Sequence, residues 1–327
     1  MNIAAKQGRQ RGLTLVELMI AMTLGLLLVL AATMLLLSAK ASYVSLDQFE
    51  QIEETGRYAS EMIARAIRQA GYEYRDAEQV AFAASADLSP NVQGMDAMTL
   101  KKNDAALSSA SARDAVNGSD ILALRFFGDD TGKGNAAILN CAGLAVAAAG
   151  AQDDPEQARG WSIFFVAKDS SGEPELRCKY RTKNGWNADA IARGVESFQV
   201  LYGVDTVGDG MPDRFVNADA IDALDQGLAL SGSNAVERLR DLTRKTYWKR
   251  VRAIRFALLV RGSEPARDDA LNGAYHLFGE AYSASHAQQD RGVRIGDQEI
   301  PAATRNRIRK LFSRTIQLRN DAMGSET

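Results

Sequence analysis

The chain has 327 residues, with 39 Lys and Arg against 41 Asp and Glu, a formal charge of −2. That balance excludes a global attraction to nucleic acid or to an anionic membrane face. A hydrophobic fraction of 46% and a charged fraction of 24% are those of a folded chain, so disorder is not the general state. The two cysteines, Cys141 and Cys178, cannot alone supply a four-ligand zinc site. They read as two buried thiols in a reducing compartment and as one disulfide in an oxidising one.

The N-terminus is basic, with Lys6, Arg9 and Arg11, and then turns apolar in "RGLTLVELMIAMTLGLLLVLAATMLLL" from Arg11 to Leu37. One reading is a cleaved secretory signal, with Ala39 and Ala41 as its small-residue site and Ser42 as the new start. The apolar run exceeds the usual h-region of ~7–15 residues. A second reading is a membrane anchor, since about 20 apolar residues span a hydrocarbon core of ~30 Å. The basic leader then stays cytoplasmic and the rest lies outside. Glu17 stands out in either case. An acid costs roughly 2.5–3.5 kcal/mol at mid-bilayer and less near the interface, where Glu17 could reach headgroups.

The helical pattern continues past Lys40. Apolar or small residues recur every three or four positions at Leu46, Phe49, Ile52, Gly56, Ala59, Ile63, Ala66 and Ala70. Glu53–Arg57 and Glu61–Arg65 are spaced as i,i+4 pairs. No proline interrupts Leu13 to Gln69, and Gly71 is a stop signal. The expectation is one helix of roughly 84 Å, lipid-facing first and amphipathic second.

Residues 75–116 are rich in Ala, Ser and Asp and read as a loop or variable insertion. Strands are expected at Ser119–Gly128, Trp161–Lys168, Glu175–Arg181, Val195–Val204, Trp248–Gly262 and Leu311–Asn320. Asn184-Gly185 marks a tight turn. Asn217–Leu230 and Ser233–Lys245 read as helical or irregular. Short strands with few intervening helices favour an antiparallel sheet, so the class is α+β, one long helix packed on a sheet.

Little points to catalysis. His276 and His286 are the only histidines, and no zinc, P-loop or serine-hydrolase motif occurs. "DTVGDGMPD" places Asp205, Asp209 and Asp213 at positions one, five and nine, with Gly210 sixth. That spacing raises a Ca2+ loop, but Val207 and Val216 occupy two ligand positions, and an Asp/Gly-rich turn explains the run equally. The basic runs "RKTYWKRVRAIR" and "RNRIRKLFSR" could touch phosphates, although a solvated strand face is the commoner use.

The pattern "G|LTLVE" resembles the class III signal of type IV pilins and of type II secretion pseudopilins. It has a short basic leader, Gly12, apolar Leu13, Glu17 at the fifth position and a long apolar run. The later runs "GVESFQVLYGVDTVGDGMPDRFVNA", "VRAIRFALLVR" and "FSRTIQLRN" look like PilW-type minor pilins. The resemblance implies a pilin-like fold, cleavage after Gly12 by a prepilin peptidase, and methylation of Leu13, although the family more often starts with Phe. It implies that Glu17 meets the N-terminal amine of a neighbouring subunit. The segments are then a leader at 1–12, a transmembrane helix at 13–38, its amphipathic continuation at 39–71 and a periplasmic head at 72–327. A periplasmic head favours a Cys141–Cys178 disulfide, with about 4 kcal/mol from loop closure in the chain-entropy model. The function implied is a non-enzymatic minor pilin that primes or caps a pilus. Its partners would be other minor pilins, the major pilin, the inner-membrane assembly platform and membrane lipid. Nucleic acid is not an expected partner, and no cofactor is expected unless the Asp loop takes Ca2+. The alternatives are a J-type pseudopilin and a tip adhesin or DNA-binding subunit.

Overall fold

The computed structural model describes residues 12, 14–73, 86–129, 138–149, 153–266 and 273–320. It divides into two compact units, Met1–Asp47 and Gln48–Thr327. A single helix, α1 (Leu15–Gln69), runs without interruption through the first unit into the second. In the first unit its side chains are exposed nearly throughout. The hydroxyls of Thr23 and Thr33 donate to the carbonyls of Ile20 (2.9 Å) and Leu30 (2.8 Å). No hydroxyl in the apolar run therefore needs water, as a bilayer requires.

The second unit is α+β. A five-stranded antiparallel sheet has the order β1 (Val92–Met95), β2 (Ile121–Phe126), β3 (Gly160–Lys168), β4 (Pro174–Thr182), β5 (Gly185–Arg193). The short helix α2 (Pro155–Ala158) precedes β3. A four-stranded sheet is built from β6 (Val195–Val204), β7 (Arg214–Val216), β8 (Val251–Pro265) and β11 (Arg307–Gln317). Its spatial order is β11-β8-β6-β7. Helices α3 (Ala218–Gln226) and α4 (Ala235–Lys245) separate β7 from β8. A β9–β10 ladder (Ala274–His276 with Arg294–Gly296) and α5 (Glu280–His286) fill the connection from β8 to β11.

The main core joins Ile52, Ala59, Ile63 and Ile67 of α1 to Leu124, Phe164, Phe198 and Phe256 of the two sheets. The apolar stripe of α1 is buried only from Ile52 onward, whereas Leu46 and Phe49 are exposed. A Cβ on Gly56 would lie 2.2 Å from the Phe312 ring, so only glycine lets β11 approach this closely. On either side of Phe312, Lys310 pairs with Glu53 and Arg314 with Glu61 (2.9 Å). The spacing fits: four strand residues and eight helix residues each cover about 12–14 Å. These partners replace the expected Glu53–Arg57 and Glu61–Arg65 pairs, because the facing strand offers cations beside a packed surface. Glu61 also meets Arg68 at 2.7 Å. The helix ends as expected: Gly71 has φ of 72° and donates its N–H to Arg125 O at 2.9 Å.

The region read as an insertion at 75–116 is partly outside the described residues. Its described part is integral to the head. Val92–Met95 is a strand paired with β2, and Leu100 packs with Met98 and Leu107 over Ile121, Ile163 and Phe165. Its small polar residues hide the few apolar ones that cover this sheet face. Cys141 and Cys178 form a disulfide with Cα atoms 5.8 Å apart, tying the segment before α2 to β4.

Three carboxylates are buried where the sheets meet α3. Asp96 accepts from the N–H groups of Ala218 (3.0 Å) and Asp219 (2.8 Å). Asp120 accepts from Ala97 (3.0 Å) and from Val200 on β6 (2.8 Å). Asp290 accepts from the Tyr282 hydroxyl at 2.8 Å. Burial, with the neighbouring acids adding to it, pushes Asp96 up to about 7 and Asp120 well above the usual range. Burial also raises Asp290 to about 6, against hydrogen bonding from Tyr282 and the nearby His286. A carboxyl raised in the fold contributes stability below its unfolded value of about 4, and loses it as pH rises through the folded value. The head should therefore melt at a higher temperature at about pH 5.5 than at about pH 7.5, by about 2–4 °C per kcal/mol. Thermal scans of wild type and an Asp96→Asn, Asp290→Asn variant check this. The variant should show a flatter profile, and a wild-type Tm that falls on acidification would contradict it.

Candidate assembly site

Gly12 is exposed, and nothing lies within 4 Å of where its Cβ would be. Leu13, the expected first mature residue, lies outside the described residues. Thr14 and Glu17 close a reciprocal pair at the start of α1. The Thr14 N–H and hydroxyl both donate to Glu17 Oε2 at 3.1 Å, and the Glu17 N–H reaches Thr14 Oγ1 at 3.3 Å. This is a capping box, in which a hydroxyl and an acid three residues apart satisfy the open N–H groups of the first turn. The acid also lies at the positive end of the helix dipole. The T-x-x-E spacing that announces this role is readable in "TLVE", a local role beside the headgroup and subunit contacts expected of Glu17. The contacts to Thr14 occupy one carboxylate oxygen, Oε2.

Beyond Glu17 the apolar run presents large exposed side chains, among them Leu26 at 73% and Leu35 at 75%. α1 is long and apolar enough to cross a membrane. Exposed apolar side chains at this density are those expected of a surface that meets lipid or other helices.

The Asp-rich loop does not gather its acids around a common point. Asp205 accepts from the N–H groups of Gly208 (2.5 Å) and Gly210 (2.8 Å), with Arg252 at 3.4 Å. Asp209 accepts from Met211, and Asp213 from the N–H and hydroxyl of Thr206. Burial pushes the Asp205 carboxyl up, but the two glycine N–H groups and the Arg252 charge outweigh it and hold it below the usual range. Among the described residues no group of three or more His, Cys, Asp or Glu side chains is arranged to hold a metal. The hydrogen bonds of Asp205, Asp209 and Asp213 each serve the folding of their own turn, as the Asp/Gly-rich turn reading expects. The Tm should be unchanged by excess Ca2+ or by a chelator, and a clear rise with Ca2+ would restore the cation reading.

Several cations of the two basic runs have partners within the head. Arg244 pairs with Asp87 at the surface, Arg250 lies over Tyr247 at 4.8 Å, and Arg255 lies over Phe215 at 4.6 Å. Arg309 is buried and holds Glu196 through two bonds, at 2.6 and 3.0 Å. Such residues read as a basic strand face in the sequence. Their acids come from elements far away in the chain, so spacing gives no hint of them.

Residues 163–320 match the model of the type IV pilus-assembly protein W family. Residues 7–33 match the prokaryotic N-terminal methylation motif. No curated protein matches the chain. Among solved structures, a type IV-like pilin from Thermus thermophilus is similar at 13% identity, over 85% of this chain and 98% of that one. Its TM-score is 0.32, too low to bear on function.

Proposed function

We propose, from the premise that this chain is a PilW-like type IV pilin, that it acts as a minor pilin in priming or capping a type IV pilus. The observation that carries the reading is the N-terminal methylation motif at 7–33, with Glu17 five residues after an exposed Gly12. In this reading the basic leader stays on the cytoplasmic side of the inner membrane and α1 anchors the chain. A prepilin peptidase cuts after Gly12 and methylates the new amine at Leu13. The head folds in the periplasm, where a Cys141–Cys178 disulfide is stable. The chain turns over no substrate, and its partners are other minor pilins, the major pilin and the assembly platform.

Glu17 then serves twice. Before assembly it caps its own helix through Thr14. On assembly it meets the cationic amine of a neighbour. Two opposite charges in a low-dielectric layer stabilise each other, and removing one strands the other at a cost of about 3–5 kcal/mol. At a factor of ten per 1.4 kcal/mol, Glu17→Val should cut incorporation into pili by more than about a hundredfold. The variant should still be cleaved and membrane-bound. Quantifying the chain in sheared pili and in membranes tests this, and a Glu17→Val chain that enters pili at the wild-type level defeats the reading.

A further inference from the structure

A cleft of about 400 Å³ opens beside the head half of α1, between Gln51 and Thr55 on the helix and Glu173, Arg193, Arg261 and Arg307 on the sheet side. Its charges are uneven. Asp169, also on its wall, is turned into its own loop, accepting from the N–H groups of Ser171 (2.8 Å) and Glu173 (3.0 Å). Glu173 is shared by two guanidinium groups, Arg261 and Arg307, the latter at 3.5 Å. The Arg307 Nε is buried and has no hydrogen-bond partner. Arg193 is 78% exposed, and its nearest acid, Glu175, stands 3.9 Å away and is already held by Arg177 at 2.8 Å. Three guanidinium groups thus line the cleft; Arg261 is buried and also meets Glu196 at 3.3 Å, so Arg193 is the exposed donor and Arg307 stands beside it on the wall. Such a fork of fixed donors matches carboxylates.

The other side of α1 supplies that chemistry. Glu50 and Glu54 are exposed and lie one helical turn apart. At about 100° per residue they lie on a different face of the helix from Gln51 and Thr55. We infer that the Arg193–Arg261–Arg307 cleft docks an acidic helix face of a neighbouring pilin subunit, with carboxylates spaced as Glu50 and Glu54 are here. The inference rests on the pilin reading for the presence of such a neighbour. A cleft on one face and an acidic stripe on another make a heterologous contact between two subunits rather than a self-complementary one.

The test uses the full chain in detergent micelles. The probe is a fluorescent peptide with the sequence of residues 43–59, compared with its Glu50→Gln, Glu54→Gln version. Anisotropy titration should give saturable, salt-sensitive binding of the acidic peptide, weakened about tenfold for the neutral version. The chain variant Arg193→Gln, Arg307→Gln should lose a similar factor. Arg193→Gln alone, at an exposed position, should lose a smaller factor with an unchanged melting curve. No binding, or equal binding of acidic and neutral peptides, overturns the inference. Equal binding by wild type and both variants also overturns it. Absence of the wild-type chain from pili would instead count against the pilin reading, whatever the peptide does.

Discussion

The head is organised around one seam, where β11 lies against α1. Phe312 sits on Gly56, and the flanking Lys310–Glu53 and Arg314–Glu61 pairs fix the register of strand against helix. Alternate strand residues and successive helix turns have nearly equal rise over this distance, so all three contacts form together. The exposed ion pairs add little individually. Their value lies in selecting one register for the ring on the glycine. A side chain at position 56 would push β11 off the helix and open the main core, since β8 and β6 follow β11 in the same sheet.

The seam explains why α1 changes character along its length. Residues from Ile52 to Ala70 that face the sheets are small or β-branched, and a close-packed core needs that. From Leu15 to Leu37 every residue is exposed and most are large and apolar, as a lipid-facing or helix-facing surface requires. Helical geometry is shared and side-chain size is not. One uninterrupted backbone can therefore serve two solvents, with the change falling near Gln48, which is buried and accepts the Glu264 N–H at 2.9 Å.

Much of this was legible in the sequence. Proline-free periodicity gave α1 to Gln69, and Gly71 gave its end. The apolar strands β2, β3, β4, β6 and β8 lie where β-branched and aromatic runs predicted them. What failed to show was held by tertiary pairing. "GWNADAIAR" has weak strand propensity and forms β5 because β4 offers it an edge. β1, β9 and β10 are three or four residues long, too short for any periodicity to register. The split into two sheets depends on which strands pair, and alternation alone does not specify partners. At the assembly site the position of Glu17 was legible from its offset to Gly12. Its partner Thr14 went unread, although the capping spacing was in view. Arg261 of the cleft and the Glu173 it meets are 88 residues apart, beyond the reach of spacing arguments.

Maturation at the N-terminus is the step on which the functional account turns, because the amine proposed to meet Glu17 does not exist until the leader is removed. Intact-mass and N-terminal peptide analysis of the chain isolated from membranes measures it directly. The account predicts a chain that begins at Leu13 and carries one added methyl group. A chain that retains Met1, or one that begins at Ser42, would contradict it.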